Sequence, residues 1–70
     1  MKLAELLKKL AKYERVSICR HKPNERKEIY CGKNRLIDPT LIENYDSLVV
    51  DMISISIDGY CLDIDVHEEQ

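Results

Sequence analysis

Asp51-Met52-Ile53-Ser54-Ile55-Ser56-Ile57-Asp58-Gly59-Tyr60-Cys61-Leu62-Asp63-Ile64-Asp65-Val66 is the stretch whose reading decides the fold. Two runs of alternating apolar and polar residues flank Asp58-Gly59, the strongest short-range signal for a β-hairpin. A two-residue loop there pairs Ile57 with Tyr60, Ile55 with Leu62, Ile53 with Ile64 and Asp51 with Val66. Three of those four pairs are wholly apolar, so one face of the hairpin belongs to a core. The other face carries Ser56 with Cys61, Ser54 with Asp63 and Met52 with Asp65. Gly59 is expected at positive φ, in a type I′ or related turn. Just upstream, Leu48-Val49-Val50 breaks the alternation. That predicts either burial on both faces or a β-bulge before Asp51.

A second strand pair precedes it. Arg15-Val16-Ser17-Ile18-Cys19-Arg20-His21 alternates with period two, which predicts a half-buried strand. Lys22-Pro23-Asn24-Glu25 suits a type I turn, with Pro at its second position. The run Arg26 to Cys31 then returns as the partner strand, and Gly32-Lys33-Asn34 ends it. This register sets Ile18 opposite Ile29 and Val16 opposite Cys31. It sends Ser17, Cys19, His21, Arg26, Glu28 and Tyr30 to the other face.

Leu3, Leu6, Leu7 and Leu10 recur at i, i+3, i+4 and i+7. They predict an amphipathic helix over about residues 2–12, its outer face carrying Lys2, Glu5, Lys8, Lys9 and Lys12. Three turns without Trp or Phe suit packing on a sheet better than lying on a membrane. Between the hairpins, Leu36 to Tyr45 reads as one or two helical turns, with Asp38 as N-cap and Pro39 at the first position. Ile37 and Ile42 stand at the two positions of a hydrophobic staple. The expected fold is α+β in the order α-β-β-short α-β-β. The N-terminal helix packs on a four-stranded, mainly antiparallel sheet, in two layers and one domain over residues 1–70.

With 70 residues, the chain has room for one core. It is 44% hydrophobic and 34% charged, too apolar for a disordered tail and too charged for a membrane segment. The charged first turns predict no secretory leader. Cys19, Cys31 and Cys61 are odd in number and show no CxxC spacing, so free thiols in a reducing cytoplasm are expected. A domain this small gains from oligomerisation, and a homo-oligomer, a dimer foremost, is expected.

The net charge of −2 hides a division. All eleven Lys and Arg lie before Leu36 beside four acids, a surplus of +7. From Leu36 on there are nine acids and no Lys or Arg, a charge of −9. Two readings stand: the halves are neighbours whose side chains pair across strands, or the surface is bipolar and steers association.

Candidate chemistry is sparse. Asp63, Asp65 and His67 share a face of the last strand, but same-face neighbours stand about 7 Å apart and converge poorly on one ion. They read as a solvated acidic face, with His67 to Gln70 a frayed tail. Cys19 beside His21 offers a thiol and a base without an orienting third group. Gly32 and Gly59 are the only glycines, too few for a phosphate loop. No cofactor, metal or catalytic residue is expected. Arg20, His21, Lys22, Arg26 and Lys27 cluster on the first hairpin and are the candidate nucleic-acid contacts. Ser17, Tyr30, Met52, Ser54, Ser56 and Cys61 form an outer face less polar than a solvent face, the candidate interface.

The opening Lys-Leu-Ala-Glu-Leu-Leu helix (residues 2–7), the Val16-Ser17-Ile18 strand and the late hairpin (Ser47-Leu48-Val49-Val50 and Gly59-Tyr60-Cys61-Leu62-Asp63-Ile64-Asp65-Val66) carry a resemblance. In apolar spacing over most of its length, the chain resembles small uncharacterised accessory proteins of phages and prophages of gut Firmicutes. The resemblance implies a cytoplasmic accessory protein of an infected or lysogenic host, some of which inhibit host defences by binding an effector. The expected function is a non-enzymatic protein-interaction module with a host or phage protein partner. The alternative is a nucleic-acid-binding accessory protein using the basic hairpin 20–27.

Overall fold

The computed structural model describes residues 1–12 and 14–69. One helix, α1 (Leu3–Lys9), is followed by strands β1 (Arg15–Lys22), β2 (Glu25–Lys33), β3 (Leu48–Ile55) and β4 (Leu62–Glu68). The strands form one mixed sheet in the order β2-β1-β4-β3. Both sequence-local hairpins are antiparallel, whereas β4 inserts between β3 and β1 and runs parallel to β1. This is the expected helix and four-stranded α+β sheet, with its central pairing parallel.

Leu3, Leu6 and Leu7 of α1 are buried in one cluster with Val16, Ile18, Ile42, Leu48, Ile64 and Val66. The helix is shorter than the leucine periodicity predicts. Leu10 turns extended, with φ −82° and ψ 151°, and packs at the edge of the core. Asn34, from the far end of β2, closes the helix. Its side-chain amide donates to the Leu7 carbonyl at 2.9 Å and lies 3.4 Å from those of Leu10 and Ala11. These are orphan acceptors at a helix C-terminus.

Both hairpin registers hold near their turns and slip farther on. In the first, His21 pairs Arg26 and Cys19 pairs Glu28 as expected, but an irregularity between Ile18 and Cys19 then sets Ile18 opposite Tyr30 and Val16 opposite Gly32. Ile29 is the extra residue, and the pairings of Ile18 with Ile29 and Val16 with Cys31 are thereby corrected. Tyr30 moves to the core side and packs against the cluster. Its hydroxyl donates to the Lys33 carbonyl at 2.6 Å. A Cβ on Gly32 would stand 3.0 Å from that hydroxyl, which is why the small residue sits inside β2 rather than ending it.

In the second hairpin, Ile55 pairs Leu62 and Ile53 pairs Ile64. Asp51 then bulges out, so Val50 rather than Asp51 meets Val66. The tip is a four-residue loop, not two. The Ser56 N–H donates to the Cys61 carbonyl, and the Gly59 N–H to the Ser56 carbonyl, both at 2.9 Å. Asp58 imposes this shape by accepting from the Ser56 hydroxyl and the Tyr60 N–H, an Asx-type bond that competes with the tighter turn. Ile57 and Tyr60 therefore flank the tip outside the ladder. Gly59 has φ +74° as expected.

The crossover between the edge strands is three 3-10 turns, Asn34–Leu36, Pro39–Leu41 and Tyr45–Ser47, rather than one short α-helix. Asp38 caps the middle turn by accepting from the Thr40 N–H, with Pro39 following. The Thr40 hydroxyl donates to the same carboxylate, and these two bonds hold the Asp38 pKa below its ordinary value. At the other end, β4 runs through Glu68, and Glu69 donates its N–H to the Ser47 carbonyl. Residues 67–69 are thus ordered rather than frayed; Gln70 lies outside the described residues.

Leu7→Ala should lower the free energy of unfolding by about 2–4 kcal/mol, the transfer and cavity cost of a buried leucine. Urea melts followed by circular dichroism measure it, and a loss below about 0.5 kcal/mol would mean the leucine stripe is not docked. Gly59→Val should cost about 1–2 kcal/mol from left-handed backbone strain alone, because no atom stands within 4 Å of the added Cβ. A variant as stable as the parent would contradict the loop geometry.

Candidate functional site

The five candidate contact residues of the first hairpin do not form one patch. Strand alternation sends Arg20 and Lys27 to the helix side of the sheet and His21 and Arg26 to the other. Arg20 is only 7% exposed. Its guanidinium donates to the Glu43 carbonyl and lies 3.3 Å from the Glu68 carboxylate. The cleft of about 260 Å³ beside it is lined by Lys27 but equally by Glu28 and Glu43. On the opposite face, Asp65 stands 3.1 Å from His21 Nε2 and 3.3 Å from an Arg26 nitrogen. Lys22 lies at the turn, lining a smaller cleft with Glu25 and Glu43. Acids pair with Arg20 and Arg26 and share the clefts of Lys22 and Lys27, which weakens the field offered to a phosphate backbone.

The face away from the helix carries Ser17, Cys19 and His21 of β1 against Asp63 and Asp65 of β4, with Met52 and Ser54 beyond. Its centre is polar and internally paired. The Ser17 hydroxyl donates to Glu28 at 2.8 Å, and His67 pairs with Asp51 through Nδ1. Asp65 and His67 thus turn to different partners. Among the described residues no group of three metal-ligating side chains converges. Of the candidate interface residues, Met52 and Ser54 are exposed, Ser17, Ser56 and Cys61 half-buried, and Tyr30 is on the helix side.

The three cysteines are free thiols. Burial pushes the Cys19 thiol above its ordinary pKa, further helped by the Asp65 and Glu28 charges and opposed by Arg26. A thiol so held is the reverse of an activated nucleophile. Desolvation, with Glu28 next, also raises Cys31.

Sequence reading missed the feature that is now most prominent. The apolar face of the second hairpin continues past the end of α1. Ile53 is 45% exposed, Ile55 74%, Tyr60 75%, and Ile57 is fully exposed. A seven-residue helix is about 10 Å long, whereas an eight-residue strand spans about 26 Å, so α1 roofs only one end of the sheet. The comparison of helix length with strand length was the signal that could have found it. Compared with known families, curated proteins and solved structures, the chain has no match in any of the three. Among the described residues no helix is long and apolar enough to cross a membrane.

In thiol titration of the native protein with an aromatic disulfide reagent near pH 8, two equivalents should react quickly, Cys31 and Cys61. Cys19 should react only as the protein unfolds. Mass mapping of the labelled sites checks the order, and equal labelling of all three would contradict the burial of Cys19.

Proposed function

We propose that the chain is a non-enzymatic protein-interaction module whose contact surface is the isoleucine row Ile53, Ile55 and Ile57 with Tyr60. The supporting observation is that this row extends the core face into solvent. Burying one such side chain contributes about 1.5–3 kcal/mol, and contiguous apolar surface left open on a small domain marks a contact site. Chemistry elsewhere on the molecule supports the same reading. Burial raises the pKa of the Cys19 thiol, and each histidine lies against a carboxylate of the neighbouring strand, His21 by Asp65 and His67 by Asp51. The resemblance to phage accessory proteins, and free thiols suited to a reducing cytoplasm, fit a module of this kind. The nucleic-acid alternative draws less support, because the hairpin's basic residues are divided between faces and both arginines pair with acids.

The test uses a tagged chain incubated with bacterial lysate supplemented with the untagged chain. Wild type should retain protein prey, and Ile55→Lys/Ile57→Lys should lose at least about tenfold of it, since both side chains are exposed and each change puts a charge into the contact. Equal retention by the variant overturns the reading. So does recovery of nucleic acid alone, lost on Lys22→Ala/Lys27→Ala.

A further inference from the structure

The strand beneath the isoleucine row is an edge strand, and its two ends differ. At the start of β3, Lys2 forms an isolated antiparallel bridge with Val49, and the Val50 N–H donates to the Met1 carbonyl at 2.8 Å. Asp51 then bulges. Beyond it, from Met52 to Ser56, nothing among the described backbone bonds reaches the outer side of the strand. The Ser56 N–H points inward, to Cys61. Backbone groups alternate in direction along a strand, so Ser54 and Met52 also face β4, and Ile53 and Ile55 turn theirs outward. A short window therefore offers two N–H groups and two carbonyls to a further strand.

Its composition singles it out. Met52-Ile53-Ser54-Ile55-Ser56-Ile57 has no charge, no proline and no glycine. Exposed edges normally carry charges, prolines or bulges that block pairing. The opposite edge, β2, has them: Glu25, Arg26, Lys27 and Glu28 in succession, then the irregularity at Ile29. On β3 the bulge and the Met1–Lys2 bridge protect only the half they occupy.

We infer that this window pairs with the same window of a second copy, antiparallel about a twofold axis through Ser54. The inference rests on the reading of the isoleucine row as a contact surface and names its partner. Centring on Ser54 is the register that uses the whole free window, between the bulge and the hairpin loop. It sets Ile53 opposite Ile55 of the other copy as hydrogen-bonded pairs, in both symmetry-related positions, and Ser54 opposite itself as a non-hydrogen-bonded pair. Four isoleucines then lie side by side on one face, flanked by both helices. No like charges are opposed within the window. A twofold contact is self-complementary and closes at two copies, whereas pairing β3 with the charged β2 edge of another copy would place Arg26 or Lys27 beside the isoleucines and leave edges open for further addition. The +7 and −9 halves take no part, because the ion pairs between them are made within the chain.

Light scattering of the full chain at about 200 μM should give twice the 8.2 kDa chain mass, equally at about 0.05 M and 1 M salt, because apolar burial and backbone bonds are not weakened by screening. Ile55→Lys, at an exposed site, should be monomeric with unchanged circular dichroism. In a Cys31→Ser/Cys61→Ser background, Ser54→Cys should oxidise to a disulfide-linked dimer, since opposed residues of a non-hydrogen-bonded pair lie within disulfide reach. Ser56→Cys should give at least about tenfold less. A monomeric wild type, a dimer indifferent to Ile55→Lys, or equal cross-linking of the two cysteine variants overturns the proposal. If the wild type is monomeric while the capture experiment still loses its prey on Ile55→Lys/Ile57→Lys, the contact surface stands and the second copy is the wrong partner. If neither responds, both fall.

Discussion

Everything in this fold hangs on the parallel contact between β1 and β4. Val16 meets Leu62, Ile18 meets Ile64 and Arg20 meets Val66, and these are the residues on which α1 and the crossover close. Each hairpin alone is two strands with one apolar face, which is marginal in water. Joined through β1 and β4 they make a four-stranded floor large enough to bury three helical leucines. The same contact settles the charge division. The basic half contributes β1 and β2, the acidic half β3 and β4, and the junction brings the two signs together. Arg20 reaches Glu68, His21 and Arg26 reach Asp65, and Lys2 reaches Glu69. Of the two readings of that division, pairing across strands is the one seen.

Arg20 shows what the junction demands. A guanidinium on the core face of a central strand is costly unless it is bonded and paired. Here the Glu43 carbonyl and the Glu68 carboxylate supply partners for the two terminal nitrogens, while the buried Nε has none among the described residues. This ties the crossover and the C-terminal strand to one side chain. A residue that belongs to a basic hairpin in the sequence is, in the fold, an internal fastening.

Period-two and i, i+3, i+4 patterns made both hairpins and α1 legible, because those patterns record which face of a local element meets the core. Hairpin register was legible close to each turn, where the turn itself sets it. It was lost at Ile29, where a bulge adds one residue without a local signature; at Asp51 the phase break of Leu48-Val49-Val50 signalled a bulge as one of two readings but did not single out the extra residue. The insertion of β4 beside β1 was not legible either: two half-buried strands carry the same alternation whether their neighbour is parallel or antiparallel. Asn34 closes a helix some 25 residues away in sequence, a relation no periodicity encodes. The exposed row followed from a quantity that pattern reading ignores, the length of α1 against the length of the strand below it.

Of the four strands, the last in chain order is an inner one. Until Leu62 to Val66 are made, β1 and β3 have no strand between them and would stand about 10 Å apart in the finished arrangement, two ladder spacings. The partners Val16 and Leu62 are separated by most of the chain, so the decisive contact is, of the three strand ladders, the one with the greatest loop-closure cost. During synthesis the first hairpin and the leucine helix must therefore wait with their apolar faces open. Removing β4 takes out the middle of the sheet and leaves β3 separate from the first hairpin.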